Sequence, residues 1–170
     1  MKNIFFIVDC SGSIVVDDTV KIGQINDLVR DSIDKCNSKG KNNISVVCYS
    51  DTAKIHWKSS SNNFFYDISD DKFGGRSNLG QAYKYVKNLI DNAKISISDC
   101  VIVLISDGEA TDNYRRELQT LDNKNQSVRL SFSIGTSYST TLQHASKPTL
   151  MFKNGIRDRE DFLDRLGDVI

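Results

Sequence analysis

The sequence predicts an α/β fold: an open, doubly wound (Rossmann-like), mostly parallel sheet of six strands, with one antiparallel edge strand and helices on both faces. Short apolar runs alternate along the chain with longer segments whose apolar residues recur every three or four positions, the patterns of strands and amphipathic helices. Several runs are apolar throughout, which is typical of strands covered on both sides. Because crossovers between parallel strands are right-handed in about 98% of cases, this alternation distributes the helices over both faces.

The first half of the chain contains the predicted antiparallel edge. Residues 3–8 form an apolar first strand, and residues 17–36 form a helix whose start two consecutive aspartates can cap. Residues 44–49 form the next strand, and residues 53–57 alternate well enough after a Ser-Asp-Thr turn to be its hairpin partner. Residues 59–76 are polar and turn-rich, and a loop of this length in a compact domain is usually functional.

The second half repeats the order of helix and strand. Residues 79–93 place their apolar side chains on one helical face, and residues 100–105 form the most strongly apolar strand. The same reasoning predicts the remaining elements in order, which are a helix at 112–121, a strand at 128–134, a short helix at 139–145, a strand at 150–152 and a closing helix at 158–169.

Length and composition indicate one globular domain over residues 1–170. Hydrophobic residues make up 39% and charged residues 26% of the 170, enough to build a sizeable core. Lys+Arg and Asp+Glu are both 22, so no basic excess points to nucleic acid or an anionic membrane as a partner. The apolar stretch at residues 4–8 is too short for a signal sequence or a membrane span. We therefore expect a cytoplasmic protein that begins inside its first strand.

The four cysteines are interpreted as small hydrophobic residues. They are widely spaced, with no Cys-x-x-Cys pair and no histidine at a zinc-ligand spacing, so neither a zinc site nor a redox motif is indicated. Cys10, Cys48 and Cys100 lie in or beside predicted strands, where a free cysteine packs like an apolar side chain. Reduced thiols agree with a cytosolic compartment.

A run of oxygen donors follows the first predicted strand. Asp9, Ser11 and Ser13 present one carboxylate and two hydroxyls in alternation on a turn that contains a glycine. Ser77 lies just before the second long helix, and Asp107 lies just after the most apolar strand. Ligands of doubly wound sheets bind beyond the carboxyl ends of the strands, where the strand order reverses. The three loops are therefore expected to meet at one edge of the sheet.

Carboxylates and hydroxyls are the donors that a small, hard cation prefers. Mg²⁺ takes about six oxygens at about 2.0–2.1 Å and usually keeps some waters, so a partial shell of protein oxygens is sufficient for it. The sequence therefore predicts one divalent cation at this edge, with Mg²⁺ favoured and Mn²⁺ or Ca²⁺ as alternatives.

These motifs carry a family resemblance that covers essentially the whole chain. The pattern Asp9-x-Ser11-x-Ser13, the Gly-x-Ser77 loop and the Ser-Asp107-Gly turn resemble the metal-ion-dependent adhesion site (MIDAS) of von Willebrand factor type A domains. The resemblance implies that the three serines ligate the cation directly and that the two aspartates do so mainly through water. It also implies an open position for an Asp or Glu side chain of a partner protein. The family usually has threonine where this chain has Ser77, which keeps the hydroxyl and loses a methyl group.

A narrower resemblance concerns residues 106–112 and 80–82. Together they are similar to bacterial tellurium-resistance A domains of the TerY type. Such proteins are small, intracellular, stand-alone A domains associated with stress-response gene products. The resemblance implies a protein-binding role in a comparable system and implies no reaction.

A Mg²⁺-dependent phosphoryl-transfer enzyme is the alternative that the same residues leave open. Asp9 at the end of a strand has the chemistry of a carboxylate nucleophile beside a metal. A haloacid-dehalogenase-type phosphatase needs a second aspartate two residues later as general acid, and this chain has Ser11 there. Both common phosphate-binding glycine motifs are missing, and His56 and His144 are expected far from the three loops, as surface or edge residues. We therefore expect no enzymatic activity.

Other residues have weaker interpretations. Arg76, between Gly75 and Ser77, is a candidate to pair with an acid of the partner, although a solvated surface arginine is an equal alternative. The aromatic residues at 64–66 are interpreted as anchors of the long loop rather than as an interface. The charge pairs at 70–71 and 115–116 are interpreted as solvated surface.

Overall fold

The computed structural model describes residues 1–15, 19–60, 67–68, 74–135, 139–147, 151–153 and 156–170. Its strands are β1 (Asn3–Asp9), β2 (Asn43–Tyr49), β3 (Ala53–Lys58), β4 (Cys100–Ser106), β5 (Val128–Ser133) and β6 (Met151–Lys153). Its α-helices are α1 (Gly12–Val15), α2 (Thr19–Ser38), α3 (Leu79–Asn92), α4 (Tyr114–Leu121), α5 (Thr140–Ala145) and α6 (Ile156–Val169). One turn of 3₁₀ helix, Ile97–Asp99, leads into β4.

The strands form one sheet in the order β3-β2-β1-β4-β5-β6. Every neighbouring pair is parallel except β2 and β3, which form an antiparallel hairpin at the edge. The predicted mostly parallel sheet with an antiparallel edge strand is confirmed. Five strands are six or seven residues long, whereas β6 at the opposite edge has three residues.

Alternate residues of β1 enter two different hydrophobic cores. Ile4, Phe6 and Val8 belong to the core that contains the buried side chains of α2 and α6. Phe5 and Ile7 belong to the core that contains those of α3 and α4. Full burial of such a side chain stabilises the fold by about 1.5–3 kcal/mol. The predicted helices on both faces are confirmed, and both cores hold β1 firmly in the middle of the sheet.

The strand order reverses at β1. The chain first adds β2 and β3 on one side of β1, and then adds β4, β5 and β6 on the other. The carboxyl ends of β1 and β4 therefore border the point where ligands bind in sheets of this kind. This is the edge that the sequence predicted to carry the oxygen donors.

Some predicted boundaries differ from the structure for local reasons. The short helix α1, directly after β1, was not predicted, because four residues are too few to show a periodic pattern. Helix α4 begins at Tyr114 rather than at residue 112, since Asp112 Oδ1 accepts a hydrogen bond from the Gly80 amide of α3 at 3.0 Å. The predicted caps, Asp17 and Asp18, lie outside the described residues, as do the loop aromatics at 64–66 and the charge pair at 70–71.

The four cysteines are buried and form no disulfide bond with one another, as predicted for small hydrophobic residues. Burial raises the pKa of the Cys36 and Cys100 thiols to about 12, so both remain protonated at neutral pH. In the part of the chain that the structure describes, no helix is long and apolar enough to span a bilayer.

Candidate metal centre

The structure brings the five predicted residues together at the carboxyl edge of the sheet. Ser77 Oγ donates to Asp9 Oδ2 at 2.9 Å, although 68 positions separate the two residues. Ser13 Oγ donates to Asp107 Oδ1 at 3.2 Å, and the hydroxyls of Ser11 and Ser13 are 3.3 Å apart. Residues from three loops thus form one hydrogen-bonded group.

Asp9 is the centre of this group. Its side chain is almost fully buried, with 1% of the residue exposed. Oδ1 accepts from the Ser11 amide at 2.9 Å. Oδ2 accepts from three hydroxyls, those of Ser77 at 2.9 Å, Ser106 at 2.8 Å and Tyr49 at 3.1 Å. Both carboxylate oxygens are therefore held by neutral donors.

The buried charge of Asp9 fits a cation. None of the ion pairs among the described residues involves Asp9. Burying an ionised carboxylate is costly unless it is paired or binds a metal. Hydroxyl donors reduce that cost without neutralising the charge. A carboxylate compensated only by hydroxyls and one amide is therefore suited to a positive ion beside it.

The outer part of the site is a relay of hydrogen bonds from the first loop to the third. A hydroxyl has one proton, so Ser13, which donates to Asp107, must accept from Ser11. The second oxygen of Asp107 pairs with Lys21 Nζ at 2.8 Å. Ser13 is exposed and Asp107 is partly exposed, so this side of the site faces solvent.

Backbone hydrogen bonds fix the first loop against its neighbours. The Cys10 amide donates to the Tyr49 carbonyl at 2.8 Å, which extends the pairing of β1 and β2 by one residue. The Gly12 amide then donates to the Gly75 carbonyl at 3.1 Å. The first loop is thereby tied to the loop that carries Ser77.

The second loop depends on a glycine. Gly75 has φ of +86°, and a Cβ there would lie 2.2 Å from Asp51 Oδ2. Glycine adopts this φ without strain, and other residues rarely do. Asp51 Oδ1 accepts from the Arg76 amide at 3.1 Å, and the Thr111 amide donates to the Ser77 carbonyl at 2.8 Å. These contacts orient the Ser77 hydroxyl towards Asp9.

The third loop is anchored to α5. Gly108 donates its amide to Ser106 Oγ at 3.2 Å. Glu109 accepts from the amides of Thr140 at 2.7 Å and Thr141 at 3.2 Å. Hydrogen bonds to its carboxylate, of which the Thr141 hydroxyl contributes most, lower the pKa of Glu109. The loop is therefore held on both sides of Asp107.

Sequence reasoning missed three contributors to the site. Tyr49 and Ser106 donate to Asp9, and Lys21 pairs with Asp107. Burial, and next to it the charge of Asp9, hold the pKa of Tyr49 well above its ordinary value, so its hydroxyl stays protonated and donates. Tyr49 and Ser106 end the strands on either side of β1, and that position is the signal that was available. Lys21 carried no such signal, because a lysine in an amphipathic helix is an ordinary surface residue.

Three other residues singled out from the sequence do not belong to this group of five. The Arg76 side chain is exposed, next to the site as predicted. His144 is exposed at the end of α5, with Nδ1 3.0 Å from the Tyr114 hydroxyl. His56 lies in the edge strand β3, as predicted, but its side chain is buried.

Among the described residues, no group of three or more His, Cys, Asp or Glu side chains is placed to hold a metal. A site at this edge therefore relies on hydroxyls as well as on its two carboxylates.

Comparison with protein families and curated sequences gives one match. The family model described as von Willebrand factor type A domain matches residues 3–160. A search of curated protein sequences finds no match.

Solved structures of similar fold include three instructive chains. Proximal thread matrix protein 1 from the mussel byssus, in a structure with a zinc-occupied MIDAS motif, has a TM-score of 0.72 and 18% identity, covering 97% of this chain and 45% of that chain. A von Willebrand factor type A protein from Catenulispora acidiphila has a TM-score of 0.69 and 17% identity, covering 99% and 42%. BatB from Bacteroides thetaiotaomicron has a TM-score of 0.70 and 10% identity, covering 99% and 98%. The chain thus spans less than half the length of the first two, and these identities show the fold alone.

Proposed function

The chain belongs to the von Willebrand factor type A family, and we propose that it binds a partner protein through a divalent cation held at the carboxyl edge of its sheet. The observation that carries this proposal is the environment of Asp9. Asp9 is 1% exposed, and among the described residues its carboxylate receives only hydroxyl and amide donors, which leaves its charge to be neutralised by an ion.

The ligand set follows the resemblance to the MIDAS. Ser11, Ser13 and Ser77 are proposed as direct ligands, with Asp9 and Asp107 acting mainly through water. The relay from Ser11 to Asp107 supports this set, because it shows the hydroxyls and the carboxylate sharing one network. When bound, the cation would supply a positive charge, and an Asp or Glu side chain of the partner would complete its ligand shell. Mg²⁺ is the proposed ion, with Mn²⁺ and Ca²⁺ as alternatives, whereas the mussel protein has zinc in its motif.

Calorimetry tests the proposal directly. Titration of metal-free protein with Mg²⁺ and with Mn²⁺ is expected to show saturable binding of one ion. A ligand at 100 times its dissociation constant stabilises a fold by about 2.7 kcal/mol, which corresponds to an increase of roughly 5–10 °C in Tm for a chain of this size. EDTA is expected to reverse the increase. Titrations without heat and a Tm that is the same with Mg²⁺ and with EDTA would contradict a cation site.

The phosphoryl-transfer alternative is not favoured by the contacts of Asp9. A nucleophilic carboxylate needs an oxygen that can reach a phosphorus atom. Both oxygens of Asp9 are engaged, and Oδ2 accepts from three hydroxyls. We propose that the chain is not an enzyme.

We accordingly expect no hydrolysis of p-nitrophenyl phosphate, ATP or GTP above the level of a buffer control containing Mg²⁺. The reason is that neither a general acid nor a phosphate-binding loop accompanies Asp9. The assay compares wild type with Asp9→Asn. Turnover that requires metal and disappears in this variant would place the enzyme alternative first.

The biological setting stays a prediction. The similarity of residues 106–112 and 80–82 to TerY-type domains is what favours a tellurium-resistance-like stress response in the cytoplasm, with residues 1–170 acting as a single domain. The metal-dependent binding proposed above does not depend on that setting.

A further inference from the structure

Lys21 forms an ion pair inside the candidate metal centre. It lies in the first turn of α2, and its Nζ is 2.8 Å from Asp107 Oδ2. The same nitrogen is 3.4 Å from the backbone carbonyl of Ser13. The Lys21 side chain is 29% exposed and that of Asp107 is 10% exposed, so the pair is more shielded than an ordinary surface ion pair. Lys21 thus connects the first and third loops of the site.

The two oxygens of the Asp107 carboxylate have different partners. Oδ1 accepts from Ser13, which belongs to the hydroxyl relay. Oδ2 is held by the ammonium group of Lys21 on the other side. A carboxylate with one oxygen fixed in this way presents a single oxygen to the rest of the site. Its negative charge is also partly neutralised before any other ion arrives.

We propose that the ammonium group of Lys21 competes electrostatically with the divalent ion for the carboxylates of the site and thereby keeps the affinity for free metal low. This inference rests on the proposed function, since it concerns the same site. The two carboxylates supply a formal charge of about −2, and Lys21 returns +1. The protein then neutralises a divalent ion incompletely, so that an external carboxylate adds more stabilisation than it would at a fully neutralised centre. Metal and partner therefore bind cooperatively.

The competing interpretation is structural. Lys21 also bridges two loops, and a bridge that merely oriented Asp107 would help metal binding. The two roles predict opposite effects when the charge is removed. Loss of a competing cation tightens metal binding, whereas loss of an orienting contact weakens it.

The test is Mn²⁺ binding by the full chain, with free Mn²⁺ measured by electron paramagnetic resonance. Lys21→Met removes the charge at similar side-chain volume, and Lys21→Gln keeps a hydrogen-bond donor without charge. Lys35→Met is the matched control, because Lys35 lies in the same helix, is 28% exposed and pairs with Asp164 Oδ1 at 2.9 Å. Thermal unfolding with EDTA confirms that each variant is folded.

Both Lys21 variants are expected to bind Mn²⁺ about three- to tenfold more tightly than wild type. This is the effect expected when one positive charge is removed from beside a bound cation in a partly screened site. Lys35→Met is expected to stay within about twofold of wild type, as for a surface ion pair remote from the metal. Unchanged or weaker Mn²⁺ binding by the Lys21 variants would overturn this inference while leaving the metal site intact. Absence of Asp9-dependent Mn²⁺ binding in wild type would overturn the proposed function and this inference together.

Discussion

Asp9→Asn is expected to lose affinity for Mg²⁺ and Mn²⁺ by about 10- to 100-fold, the usual cost of removing a group that supports a metal through its outer shell. Asparagine has the shape of aspartate and keeps one oxygen that accepts hydrogen bonds. The change therefore removes the charge and little volume. Because the carboxylate is buried among neutral donors, its charge is the part that a cation uses. Calorimetry and the shift in Tm caused by Mg²⁺ both measure the loss.

Asp122→Asn is the matched control for this substitution. Asp122 is also a buried aspartate, and its carboxylate accepts from the Gln126 amide at 2.7 Å and the Ser127 amide at 3.2 Å. It pairs with Arg129, which lies near the amino end of β5, whereas Asp9 lies at the carboxyl end of β1. We expect this variant to lose stability and to keep wild-type metal affinity. Equal metal affinity in wild type and Asp9→Asn would refute the assignment of Asp9.

The sequence was sufficient to predict where the residues of the candidate site meet, because topology determines it. Asp9 and Asp107 follow parallel strands, and the carboxyl ends of such strands lie at one edge whatever the length of the connections. Ser77 precedes α3 rather than following a strand; its loop was expected at the same edge, and the family resemblance supplied its role as a ligand. The structure adds the reason for that place, which is the glycine conformation at Gly75 and the contact with Asp51.

The sequence indicates that Tyr49 and Ser106 lie at strand ends near Asp9, but it does not show which side chains contact Asp9 and Asp107. Tyr49 meets Asp9 because the register of β1 and β2 pairs these two residues, and register is not readable from two apolar runs of similar length. Lys21 meets Asp107 because α2 packs beside the sheet with its first turn near the third loop. Both contacts depend on tertiary geometry, and that of Lys21 also changes the charge balance of the site.

That charge balance leads to an expectation about partner binding. Capture of a partner protein on immobilised wild-type chain is expected to require Mg²⁺ and to fail with EDTA, because the partner carboxylate is proposed to complete the metal shell. Affinities for the isolated partner are then measured with Mg²⁺ and with EDTA for wild type and variants. Ser77 offers the sharpest pair of variants, since its hydroxyl donates to Asp9 at 2.9 Å and also lies 3.4 Å from the Tyr49 hydroxyl, both within the site.

Ser77→Ala and Ser77→Asp are expected to weaken the complex for different reasons. Alanine removes a direct donor, so metal affinity and partner affinity fall together, each by about tenfold or more. Aspartate places a second carboxylate next to Asp9, so metal affinity rises while the cation is neutralised before the partner arrives. Ser32→Ala is the control, because Ser32 is a buried serine of α2 that donates to the Leu28 carbonyl at 2.6 Å. Circular dichroism confirms folding in each case. Partner binding that persists in EDTA and in both Ser77 variants would exclude a metal bridge and make the loop at residues 59–76 the next surface to test.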